Sequence, residues 1–164
     1  MRGNDTHSVN AKGGLTSAPA QRQRWMSVLS KSSAEAIESA CKPLGTLPDT
    51  QWLRKPETGL VMVRGRAGGS GAKFNLGEVP VTRCALRLDS GVMGVAWVQG
   101  RDARHAELAA RLDALLQEPG HHDRIYRHVI EPLAAMQAAR CDLAARKAAA
   151  TKVDFYTLAR GENK

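Results

Sequence analysis

The chain has 164 residues, 43% of them hydrophobic but only 4% aromatic, and a formal net charge of +8. That length supports one domain with a single core. Alanine fills much of the apolar share and buries little surface per residue, so the core is expected to be thin and suited to completion by a partner subunit. The charge is spread along the chain, with no dense basic arm and few aromatics for base stacking. This argues against a nucleic-acid-binding tail and for attraction to anionic ligands or an acidic partner.

In chain order, residues 1–18 are turn-rich and poorly hydrophobic and are predicted to be a disordered extension, with a single domain over residues 19–164. A helix is predicted after Pro19, burying Trp25, Val28 and Leu29. Ser32-x-x-Glu35 has capping-box form and predicts a second helix to about Lys42. Pro43, Gly45 and Pro48 close it, and residues 45–58 read as a connection with Trp52 and Leu53 docked on the core.

Residues 60–64 read as a strand. Residues 81–88 alternate, with Thr82, Cys84, Leu86 and Leu88 on one side and Val81, Arg83, Ala85 and Arg87 on the other, which predicts a half-buried strand. After a turn at Asp89-Ser90-Gly91, residues 92–98 are apolar on both faces and predict a hairpin partner buried on both sides. Asp102 is an N-cap for a helix buried through Leu108, Leu112 and Leu115. Pro119-Gly120 is expected to stop that helix. A long helix follows over about residues 123–149, with a break or bend at Pro132, and residues 153–158 read as extended. The predicted fold is α+β: N-terminal helices, a small mainly antiparallel sheet, C-terminal helices and an extended tail.

The richest stretch is residues 59–88, where apolar strand, arginines, glycine loop, strand and arginines follow one another. That order predicts Arg64, Arg66, Arg83 and Arg87 beside the loop Gly68, Gly69 and Gly71 at one end of a sheet. Guanidinium there suits phosphate, phosphonate or carboxylate, or the acidic surface of a partner. A plain connection between strands is the alternative. The loop fails as a phosphate-binding Walker motif, because Lys73 comes one position late and Phe74 stands where Ser or Thr is needed. Arg83 and Arg87 lie roughly 13 Å apart along a strand, too far for one small phosphate though within reach of a triphosphate, and on a strand face a solvated or salt-bridged surface is the favoured reading. The tail residues Val153, Phe155, Tyr156 and Leu158 are candidates for an interface.

Catalytic signatures are lacking. His105-Ala106-Glu107 has no Pro-Cys-x-x-Cys after it. His121, His122 and His128 lack a completing ligand at a recognisable spacing, so no metal is expected. Cys41, Cys84 and Cys141 are odd in number and widely spaced, which predicts reduced thiols and a cytoplasmic location. No apolar run is long enough for a signal peptide or a membrane span.

Four segments in collinear order carry a resemblance: RQRWMSVL from Arg22, the stretch from Gly59 to Leu88, GRDARHAELAARLDALLQ from Gly100 and AAATKVDFYTLARGE from Ala148. Across residues 20–162 the chain resembles the PhnG family, the G subunits of the bacterial carbon–phosphorus lyase system. The resemblance implies a core complex with subunits H, I and J and functional cooperation with the ATPase-like L subunit. It also implies support for displacement of adenine from ATP by a phosphonate, with ATP as substrate of the complex and no cofactor or catalytic residue of its own. The alternatives from other classes are a small basic nucleic-acid-binding protein and a stand-alone nucleotide-processing enzyme.

Overall fold

A computed structural model describes residues 18–67 and 70–152. In chain order the elements are helix α1 (Ala18–Lys31), helix α2 (Ala34–Cys41) with a 3-10 turn (Lys42–Leu44), and strands β1 (Thr50–Gly65), β2 (Phe74–Leu88) and β3 (Met93–Gln99). Helices α3 (Ala103–Leu116), α4 (Pro119–Ile125) and α5 (Glu131–Ala150) follow, with a π-helical turn (Tyr126–Ile130) joining the last two. The strands form one antiparallel sheet in the order β1-β2-β3. The fold is α+β, as the sequence predicts.

Helix α3 is the centre of the core. It packs on all three strands and on α1, α2 and α4, and its Asp102 cap accepts from the His105 amide at 2.9 Å. Leu108, Leu112 and Leu115 are buried, as their spacing predicts, and Ala106, Ala110 and Ala114 are fully buried with them. Those alanines let the helix lie against the sheet backbone. A Cβ at Gly94 would overlap the Ala110 carbonyl and sit 2.8 Å from the Ala114 nitrogen. Small residues on both sides thus give close layers at little apolar area.

Several expectations need correction. Residues 50–58 are not a connection: β1 begins at Thr50, with register shifts between Trp52, Arg54 and Glu57. Pro56 removes a donor, which an irregular edge strand tolerates. Trp52 packs on the core, but Leu53 is 49% exposed. Strand β3 is buried on one face only; Gly94, Ala96 and Val98 meet α3, whereas Met93 and Trp97 are more than half exposed. Helices cover only one side of this sheet, so an all-apolar strand still has a wet face.

The second helix caps one residue later than the box predicts. Ser33 Oγ accepts from the Ala36 amide, while Ser32 Oγ donates to the Val28 carbonyl. Pro119 does not merely end α3. It occupies the first turn of α4, where its missing N–H costs nothing. The chain then stays helical through Ala150. The disturbance expected at Pro132 takes the form of the π turn just before it, in which the Glu131 amide donates to the Tyr126 carbonyl five residues back. Residues 138–150 of α5 are exposed on every side. The predicted N-terminal extension and the extended tail lie outside the described residues, apart from Ala18.

Candidate functional site

Strand β3 pairs with β2 only as far as Val81, but β1 and β2 continue together to Gly65 opposite Phe74. Pro80, with no N–H to donate, marks the point where β3 leaves; its carbonyl takes a last bond from Gly100 at 2.8 Å. Beyond it the sheet becomes a two-stranded ribbon six β1 residues long, about 20 Å. The ribbon is apolar yet wet: Leu60 is 61% exposed and Leu76 60%, and Val61, Met62, Val63 and Phe74 are exposed as well.

Arg64 and Arg66 sit at the far end of this arm. Arg64 reaches the Lys73 carbonyl at 3.5 Å, and Arg66 is exposed. Lys73, just before Phe74 at the start of β2, is a third cation at the tip; its spacing from the glycines, one position late for a Walker motif, gives no sign of that placement. Among the described residues none of the three has an ion-pair partner. Gly71 takes the left-handed turn conformation at φ 85°. Gly68 and Gly69 lie outside the described residues, as do Val153, Phe155, Tyr156 and Leu158.

The four predicted arginines do not gather at one end of the sheet. Arg83 stands eight residues along β2 from the partner of Arg64, roughly 26 Å away. Period-two spacing puts side chains on one face but gives no distance from the loop. Arg83 is engaged instead in a surface cluster. Its guanidinium pairs with Glu57 at 2.7 Å and lies over the Trp97 ring, 5.4 Å from the centroid. Hydrogen bonds from Arg54 and then Arg83 hold the Glu57 carboxyl below its usual range. Arg87 donates to Gln51 Oε1 at 2.6 Å. These two arginines therefore brace the open face of the sheet, and the tip cations are the ones left uncommitted.

The interior polar groups are structural. Asp113 on α3 is fully buried; it accepts from Arg22 Nη2 at 2.7 Å, Trp25 Nε1 at 2.9 Å and the Val95 amide at 3.0 Å. One carboxylate thereby ties α1 and β3 to α3. His105 Nε2 bonds the Leu29 carbonyl, and His122 Nδ1 bonds the Leu116 carbonyl while its ring packs between Trp25 and Tyr126. Burial raises the thiol pKa of both Cys41 and Cys84 to about 11, which leaves them protonated and unreactive. A groove of about 750 Å³ runs between α1 and α4, past Arg22, Trp25, Gln117, His122 and Asp123. Its arginine and histidine are already bonded to Asp113 and Leu116. The described residues bring together no nucleophile, base and oxyanion donor and no three metal-ligating side chains.

Two comparisons bear on this arrangement of an exposed arm and an internally bonded core. Residues 20–161 match the family model described as phosphonate metabolism protein PhnG. Over 148 residues the chain is 41% identical to the α-D-ribose 1-methylphosphonate 5-triphosphate synthase subunit PhnG of Rhizobium meliloti (strain 1021), covering 88% of this chain and 92% of that protein. The match spans α1 through α5 and includes the arm; the chain belongs to the PhnG family.

Proposed function

We propose that this protein is the PhnG-type subunit of an α-D-ribose 1-methylphosphonate 5-triphosphate synthase, acting in phosphonate use. The observation that carries the reading is the 41% identity across nearly the whole of both chains to a named subunit of that synthase. In this reading the chain holds no complete active site. It works with subunits H, I and J, and with L, in an assembly that displaces adenine from ATP with a phosphonate. Adenine release and carbon–phosphorus cleavage would belong to the I and J subunits respectively, and ATP is substrate of the assembly rather than a cofactor of this chain.

The physical description supports a subunit in two ways. Every buried titratable or nucleophilic side chain described above is bonded within the fold or held protonated, which fits a chain that carries no complete active site. The exposed apolar arm and the exposed second half of α5 are surfaces that a free monomer has no reason to keep wet. Among the described residues no helix is long and apolar enough to cross a membrane. The rival readings, nucleic-acid binding and independent nucleotide processing, gain nothing from either comparison.

Copurification tests the proposal. Tagged chain, co-expressed with the other synthase subunits, should retain them through gel filtration at fixed stoichiometry. Elution of the tagged chain alone, with the other subunits expressed and soluble, would refute it.

A further inference from the structure

The geometry points to the β1–β2 arm as a plug: we propose that the ribbon of residues 59–66 and 73–80 inserts into a cleft of a sibling synthase subunit, one with apolar walls and a carboxylate-rich floor. The proposal rests on the subunit reading above and adds where and how that subunit is engaged.

Strand pairing divides the arm's side chains between two faces. Leu60 and Met62 lie opposite Pro80 and Glu78, and so continue the face on which Thr82, Cys84 and Leu86 meet α3. Val61 lies opposite Val79 and shares the other face with Val63. The first face loses its cover because α3 packs only on the three-stranded part; the second never had any. Leu60 is 61% exposed and Val61 40%, one on each face. Near the tip Leu76 lies directly against Gly65, where a Cβ would collide with its Cδ1. The glycine thus lets a large apolar side chain fold over the ribbon and thicken its end.

A two-stranded ribbon is barely stable in water by itself. Two apolar faces also cannot both be covered by a flat surface or by a strand added at an edge. Only a cleft that closes on both sides removes both faces from water, and this geometry selects the occupant. Charge then gives the cleft a polarity. Arg64, Arg66 and Lys73 occupy the tip with no acidic residue between them, so the part of the cleft reached last must be anionic. A second copy of this chain fits poorly, because residues 54–78 carry five cations against two anions and paired arms repel.

The experiment uses the full chain in the copurified synthase. A benzophenone amino acid is placed at Leu60 or, separately, at Val61, and the complex is irradiated. Both positions should cross-link to the same sibling subunit, and amide exchange over residues 60–65 and 74–80 should slow on assembly. Leu60→Asp and Val61→Asp should each weaken assembly about tenfold or more, with the thermal melt of the body unchanged. Arg64→Gln with Arg66→Gln should flatten the salt dependence of association. Cross-linking from one face only, cross-linking to a second copy, or free exchange of the arm inside an intact complex would each overturn the plug. Wild-type chain that copurifies with no sibling subunit would overturn the subunit reading beneath it.

Discussion

Replacing Asp113 by alanine should be among the most damaging single changes in this chain, although the residue touches no solvent. Its carboxylate is fully buried and receives Trp25 Nε1–H at 2.9 Å, the Val95 amide at 3.0 Å and Arg22 at 2.7 Å. Alanine leaves the buried Trp25 indole and the partly buried Val95 amide without their acceptor, at about 1–3 kcal/mol each. Arg22 keeps roughly a third of its side chain in solvent, so its loss adds about 1 kcal/mol or less. The total is about 4 kcal/mol, and at ~2–4 °C per kcal/mol for a chain of this size the Tm falls by about 8–16 °C. Asp113→Asn keeps one acceptor and should cost roughly half as much. The three groups act as a unit, so Arg22→Ala should add little in the Asp113→Ala background. Urea titration followed by tryptophan fluorescence reads all of these. A loss below about 1 kcal/mol for Asp113→Ala, or full additivity with Arg22→Ala, would refute the hub.

Other outcomes follow from the same structure. Gly94→Ala forces α3 away from β3 at two backbone atoms and should cost about 1–3 kcal/mol; a neutral melt would contradict the close approach. At pH 8 a disulfide reagent should titrate one fast thiol, Cys141, in the native chain and three after denaturation, since burial holds the Cys41 and Cys84 pKa near 11. The isolated chain, with Leu60 and Leu76 left in water, should be poorly behaved alone and stabilised by co-expression with the sibling subunits; a monodisperse wild-type monomer with a sharp, high-temperature melt would count against obligate assembly. Deleting residues 152–164 should weaken pull-down by the sibling subunits more than it lowers the Tm, whereas full-strength pull-down would remove the tail from the interface.

The elements were readable where one strong local pattern matched one burial pattern. Thr82, Cys84, Leu86 and Leu88 alternate because α3 covers one face of β2, and Asp102 with Leu108, Leu112 and Leu115 marks the helix that does so. Reading failed where tertiary context overrode the local signal. Thr50 to Thr58 is polar, holds Pro56 and looks like a loop, yet pairing with β2 makes it strand. Met93 and Trp97 look like core and are not, because the sequence of a strand does not say how many layers the sheet has. Around Arg64 and Arg66 the order of residues suggests a cluster of four arginines, because sequence spacing carries no distance between Arg64 and Arg83. The informative residues were Leu60, Met62, Phe74 and Leu76, apolar on a ribbon that outruns its third strand. Only the sheet register reveals that overrun.

The central claim is that this chain enables the synthase without catalysing its reaction alone. Adenine release from ATP and methylphosphonate, measured with the other subunits while this chain is titrated in, tests it most directly. Release should be negligible without the chain and absent with the chain alone. It should rise with added chain and level off at a fixed molar ratio, and Leu60→Asp should shift that curve to higher concentration. Full release without the chain, or turnover of ATP by the chain alone, would contradict the account.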